Sequence, residues 1–162
     1  MKKQEGASLL ELLCVLAIML ILMVFSVPSF AQWRDNGLYR SAARELASSI
    51  RESRMRAIKS NLEHRIEIDI SNGQYRLTHG NRAANSTSSS WANNVIRDWT
   101  ELPQVVQLRA NVDCSVMQGT VFLHFNPSGS SNTRYVCVFD QQGTRRFQVG
   151  VGFAATGRVV VR

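Results

Sequence analysis

The chain passes through three patterns of apolar and polar positions. From Leu12 to Val27 no residue is charged, and from Ala7 to Phe30 the only charge is Glu11. About 20 apolar residues suffice to cross a bilayer as a helix. The run therefore predicts a membrane-length helix, closed by Pro28, which would kink it or open a break. A second helical pattern continues to about Asn61. Tyr39, Ala43, Leu46, Ile50 and Ala57 fall on one stripe at helical spacing, and Arg40, Arg44, Glu45, Arg51, Glu52, Arg54 and Lys59 occupy the opposite face. This amphipathic stretch has one face for a core, and the two pieces together form one long N-terminal spine.

The period then shortens to two. Ile66, Ile68 and Ile70 alternate with charged residues in His64–Ile70, as in a strand with one buried face. Asn72-Gly73 signals a hairpin, and Tyr75 and Leu77 continue the alternation through Gln74–Thr78. Asn81–Ser90 is polar and serine-rich and reads as a mobile loop. Trp91 and Trp99 flank a short strand at Val95–Trp99. Further strands are expected at Val105–Arg109, Thr120–Phe125, Arg134–Phe139, Arg145–Val151 and Arg158–Val161. Asn126-Pro127-Ser128-Gly129, Gln142-Gly143 and Thr156-Gly157 supply turns between several of them. The fold class is α+β: a long helix packed on an antiparallel sheet domain. The divisions are a leader at 1–6, an apolar helix at 7–30, its amphipathic continuation at 31–62 and a sheet domain at 63–162. No internal repeat or second sheet domain is visible.

Composition adds charge. Across 162 residues the net charge is +7, and the surplus is nearly all arginine. Such a surface suits phosphate or acidic partners, and a plain solvated basic surface is the blander reading. Cys14 lies in the apolar run and reads as a small apolar residue. Lys2 and Lys3 orient the leader to the cytoplasmic side, so the rest faces an exported compartment, which is oxidising. There Cys114 and Cys137 pair naturally as a disulfide; two reduced core cysteines are the alternative. The Cys and His spacings fit no metal site, and no cofactor is implied. His64, His79 and His124 fall on separate elements with no paired acid or nucleophile. There is no glycine-rich phosphate loop and no nucleophile elbow, so no catalytic residue is assigned.

The most specific feature is the beginning of the chain. A basic leader ends in Gly6, and Glu11 stands fifth after it in an otherwise apolar run. An ionised group in hydrocarbon costs roughly 3 kcal/mol or more and calls for a functional explanation. A secretory signal peptide, with Ser29-Phe30-Ala31 as its cleavage site, and a plain membrane anchor are the competing readings. The arrangement resembles the type IV prepilin signal. The resemblance implies cleavage after Gly6 by prepilin peptidase and methylation of the new amine on Ala7, where the family usually has Phe or Met. Removing Lys2, Lys3 and Glu5 would leave a net charge of +6. The resemblance also matches Pro28, and it implies that Glu11 pairs with the terminal amine of a neighbour in a filament. A buried carboxylate needs such a partner or takes up a proton.

The remainder is similar, more loosely, to the FimT/GspH group of type IV minor pilins and type II secretion pseudopilins. Leu46-x-x-x-Ile50, Ala57, the Arg65–Ile70 strand, Phe125-Asn126-Pro127-Ser128-Gly129 and Thr156-Gly157-Arg158-Val159-Val160-Val161-Arg162 carry it. It implies a low-copy subunit in the inner membrane, with a periplasmic domain and other pilin or pseudopilin subunits as partners. Within the group, some members bind DNA through a Gly-Arg-x-Arg motif. Here three valines separate Arg158 from Arg162. In a strand the two point to one face, about 13 Å apart, and could touch two phosphates. Arg145 and Arg146 would extend the patch. From Pro103 onward six arginines face two aspartates, a net +4. DNA uptake and a solvated sheet edge, where charge discourages strand pairing, both remain open. The aromatics do not interleave with the arginines along the chain, which counts against a stacking platform. A purely structural pseudopilin is the alternative function.

Overall fold

The computed structural model describes residues 9–81, 91 and 94–162. Gly6 and Ala7 lie outside the described residues, and so does the expected loop from residue 82 to 90. The chain forms two compact units, Met1–Asn36 and Gly37–Arg162.

Helix α1 spans Leu9–Ser60. The helix is continuous through Pro28 and does not open the break that the proline suggested. In the first unit, Leu9, Leu10, Leu12, Leu13, Val15 and Leu16 are all exposed. An apolar surface on every side of a helix has no core of its own and needs a partner or a membrane to cover it. Among the described residues no helix is long and apolar enough to cross a membrane. The stretch of the apolar run with described side chains ends at Met23, before Pro28.

In the second unit the rest of α1 meets eight strands: β1 (His64–Asp69), β2 (Gln74–His79), β3 (Val95–Glu101), β4 (Gln107–Ala110), β5 (Thr120–Phe125), β6 (Arg134–Phe139), β7 (Arg145–Phe153) and β8 (Arg158–Val161). They build two four-stranded antiparallel sheets where the sequence suggested one. The orders are β3-β2-β1-β5 and β4-β6-β7-β8. The alternation of each strand is visible locally, but the division into two sheets depends on pairings between strands distant in sequence, such as β1 with β5.

The predicted helical stripe is the centre of the core. Tyr39, Ala43, Leu46, Ile50 and Ala57 are buried, together with Ala42 and Ala47. They share one cluster with Ile66, Ile68 and Leu123 of the first sheet and with Val136, Val149 and Val151 of the second. Burying a leucine or isoleucine side chain contributes about 2 kcal/mol. The β1–β2 turn is held by Asp69, whose carboxylate accepts the backbone N–H of Ser71 at 3.0 Å and the side-chain amide of Asn72 at 2.7 Å. Gly73 takes the positive φ of 63° that closes it.

Leu46→Ala should destabilise the second unit by about 3 kcal/mol, whereas Met55→Ala, on the exposed face, should leave it within about 0.5 kcal/mol. Urea unfolding of the two variants checks this; equal losses would mean that α1 is not the centre of the core.

Candidate functional site

A cluster of charged side chains lies on one face of the first sheet. Glu67 on β1 is buried, yet it carries a carboxylate. The hairpin register sets it directly opposite Arg76 on β2. Arg76 donates to one carboxylate oxygen at 2.8 Å, and Arg65 donates to the other at 2.7 Å through its Nε. The Thr78 hydroxyl donates as well, at 3.1 Å. The Arg65 guanidinium stacks on Trp91 and Phe122, with 4.3 and 4.7 Å to the ring centres, and Arg76 lies 4.6 Å over Trp99. Burial works against the charge on Glu67; the hydrogen bonds from Arg76 and Arg65 outweigh it and hold its pKa below the ordinary 4.5. The aromatics and arginines that seemed separate along the chain are therefore interleaved in space. The rings are covered by the protein's own guanidinium groups, so this face is a structural layer.

A second cluster joins the two turns singled out in the sequence. Gly129 follows β5 and Gly157 precedes β8, and both have positive φ, 81° and 57°. A Cβ on Gly157 would stand 2.2 Å from the Gly129 carbonyl oxygen. Arg54 of α1 donates to that same oxygen at 3.1 Å. Arg54, on the helix face opposite the apolar stripe, is half-buried and ties α1 to the β5–β6 connection where it meets the β7–β8 turn. No periodicity marks this role, because the helix arginines look alike in sequence.

The four predicted arginines do not form one patch of equal members. Arg146 is ion-paired to Asp140 at 2.8 Å. Asp140 is held below the usual carboxylate range first by the Thr144 N–H and, against burial, by Arg146. Arg145 lies on the disulfide, with a guanidinium nitrogen 4.0 Å from Cys114 Sγ. Arg158 and Arg162 are exposed and have no ion-pair partner among the described residues. Arg162 pairs with Gln148 through two backbone hydrogen bonds, extending β8 by one residue. Cys114 and Cys137 form the disulfide, with Cα atoms 5.9 Å apart. His64 and His79, expected apart, face each other across β1 and β2 at 5.9 Å. Burial lowers the pKa of His64 and of His124. Among the described residues no group of His, Cys, Asp or Glu could hold a metal. Glu11 lies exposed in the first turn of α1, amid the apolar side chains, and Pro28 lies within the same helix.

The sequence matches the family described as Type II transport protein GspH over residues 42–155. It matches the prokaryotic N-terminal methylation motif over residues 1–27. No curated protein matches it. The minor pseudopilin EpsH of the Vibrio cholerae type 2 secretion system has a similar structure: TM-score 0.56, 16% identity, 77% of this chain and 96% of that one covered. E. coli GspH gives a TM-score of 0.53 at 10% identity, covering 79% and 89%. The type IV minor pilin FimU of Pseudomonas aeruginosa gives 0.50 at 12%, covering 80% and 90%. At these identities the likeness is one of fold.

The Glu67 network has a pH consequence. Its folded pKa lies below the unfolded value, so its contribution is complete above about pH 4.5 and is lost as pH falls through the folded pKa. Glu67→Gln should lower stability at neutral pH by about 3 kcal/mol, because two arginines lose their buried partner. It should also flatten part of the acid limb of a stability–pH curve measured by urea unfolding. An unchanged acid limb would refute the assignment.

Proposed function

Because this chain belongs to the GspH family of type II transport proteins, we propose that it is a minor pilin or pseudopilin that enters its filament through α1. The observation that carries this reading is the helix surface around Glu11: apolar residues on every side and one carboxylate in the first turn. Such a surface is stable in a membrane or packed among like helices, and a charge within it needs a counter-charge. Cleavage after Gly6 would create one, the amine of Ala7 on a neighbouring subunit. The peptidase then acts as a switch: before the cut the amine does not exist, and after it Glu11 has a partner. Methylation of Ala7 keeps that amine cationic. In this reading the protein begins in the inner membrane with its second unit in the periplasm, and its partners are prepilin peptidase and other pilin or pseudopilin subunits. As a low-copy subunit it acts in initiation or near the tip.

A second reading concerns DNA, and it is favoured by Arg158 and Arg162, which are exposed and have no ion-pair partner among the described residues. They flank an edge strand, and the second unit carries the entire net charge, with sixteen Lys and Arg against nine Asp and Glu from Gly37 onward. Phosphate contacts of this kind are sequence-independent and salt-sensitive. Arg145 and Arg146 contribute less, because the first lies over the disulfide and the second is neutralised by Asp140.

Two experiments separate these readings. In cells with the peptidase, Glu11→Ala should still be cleaved but should be missing from sheared filaments; normal incorporation would overturn the pairing role. In a salt series with the full chain in detergent micelles, Arg158→Gln/Arg162→Gln should weaken DNA binding and lower the salt slope by about 2. Absence of DNA binding by the parent at low salt would leave the structural role alone.

A further inference from the structure

We propose that the open edge of β8 and the groove beside it receive an extended acidic segment of a neighbouring protein subunit by strand addition. This goes beyond the filament role of α1 and uses none of its residues before Gly37.

Among the described residues β8 is the outermost strand of the second sheet and is bonded to β7 alone. The paired Arg162 and Gln148 exchange both backbone hydrogen bonds. In an antiparallel pair such residues alternate with ones whose backbone groups point away. The N–H and C=O of Val161 and Val159 therefore face outward, in the spacing that another strand matches. The edge is apolar as well, with Val161 41% exposed.

Beside this edge runs a groove of about 330 Å³ between α1 and the inner face of the sheet. Its floor is Ala43, Ala47, Phe147 and Val161, and its rim is Arg40, Arg44 and Arg51. A strand added to β8 would continue the sheet and turn alternate side chains toward that rim. Along a helix, residues four apart, such as Arg40 and Arg44, are separated by about 6 Å of rise. Alternate side chains of a strand lie about 6.7 Å apart. Carboxylates at alternate positions of a strand running along the helix would thus meet Arg40 and Arg44, and Arg51, about 10 Å of rise further on, would take one beyond them. The three rim arginines form no ion pair among the described residues, whereas Arg56, Arg65, Arg76, Arg97 and Arg146 do. Arg158 and Arg162 at the two ends of β8 repel a basic strand and admit an acidic one. A peptide backbone satisfies the outward amides and carbonyls together, and the apolar floor takes its other side chains. A phosphate chain would satisfy the rim and leave the carbonyls and the floor unmatched.

The test uses the full chain in detergent micelles and a labelled peptide of alternating glutamate and valine, read by fluorescence anisotropy. The peptide should bind and weaken with salt. Arg40→Gln/Arg44→Gln/Arg51→Gln should lower its affinity about tenfold. Val161→Pro removes an outward N–H without touching the bonds to β7, so it should abolish binding, while Val161→Ala keeps it; circular dichroism confirms that each variant is folded. Three results would overturn the proposal: no peptide binding, equal binding of a lysine–valine peptide, or full binding by Val161→Pro. Displacement of the peptide by oligothymidylate would overturn it too, and make the groove a nucleic-acid surface.

Discussion

The burial of one helical stripe holds the second unit together. Leu46 and Ile50 are fully buried, and the cluster they belong to contains the inner faces of both sheets. Without the helix, each four-stranded sheet would present its apolar inner face to water. The same stripe explains why Ala42, Ala43 and Ala47 are small. A short side chain lets a helix approach a sheet closely, and larger residues there would force the sheets apart. Ser49 and Ser53 share the buried face, so the stripe is not wholly apolar.

The elements were largely legible in the sequence because their signals are local. Three strands, Thr120–Phe125, Arg134–Phe139 and Arg158–Val161, have the bounds that alternation and turn residues suggest. The helix end at Ser60 is one residue from the expected position. What remained hidden is long-range. The single expected sheet became two because β1 pairs with β5 across a long intervening stretch. Arg54 cannot be told from Arg51 by period, yet one contacts the Gly129 carbonyl and the other lines a groove. Glu67 could have been found: a turn at Asn72-Gly73 with Asp69 opposite Gln74 places Glu67 opposite Arg76. Alternation alone assigned that face to solvent, because it says nothing of Trp91, Trp99 and Phe122 arriving to cover it.

The two conspicuous turns gain a common cause. Asn126-Pro127-Ser128-Gly129 and Thr156-Gly157 are far apart in sequence: the first lies in the crossover from β5 to β6, between the sheets, and the second joins β7 to β8 within the second sheet. At Gly157 a side chain would collide with the Gly129 carbonyl oxygen, and the positive φ at both positions already disfavours one. The glycines are thus required by their mutual approach as much as by the turns. The guanidinium of Arg54 completes the junction by supplying a donor to the Gly129 carbonyl.

A net charge of +7 suggests a surface built for anions, but most of that charge is explained from within. From Gly37 onward the unit has fifteen arginines and one lysine. Several of those arginines do what a lysine ammonium does poorly: they stack on a ring and donate to a carboxylate at once, as Arg65 does with Trp91 and Glu67. Arginine here is a structural residue first, chosen for its planar shape, and the positive charge comes with it. Total charge is therefore a weak guide to what this protein binds. Among the described residues the arginines that the fold leaves uncommitted include Arg40, Arg44, Arg51, Arg158 and Arg162, on one helix face and an edge strand, besides Arg134 on β6. Charge on an edge strand alone would serve to discourage unwanted pairing; what marks this edge for a partner is the groove beside it, where Arg40, Arg44 and Arg51 line one side of an apolar floor.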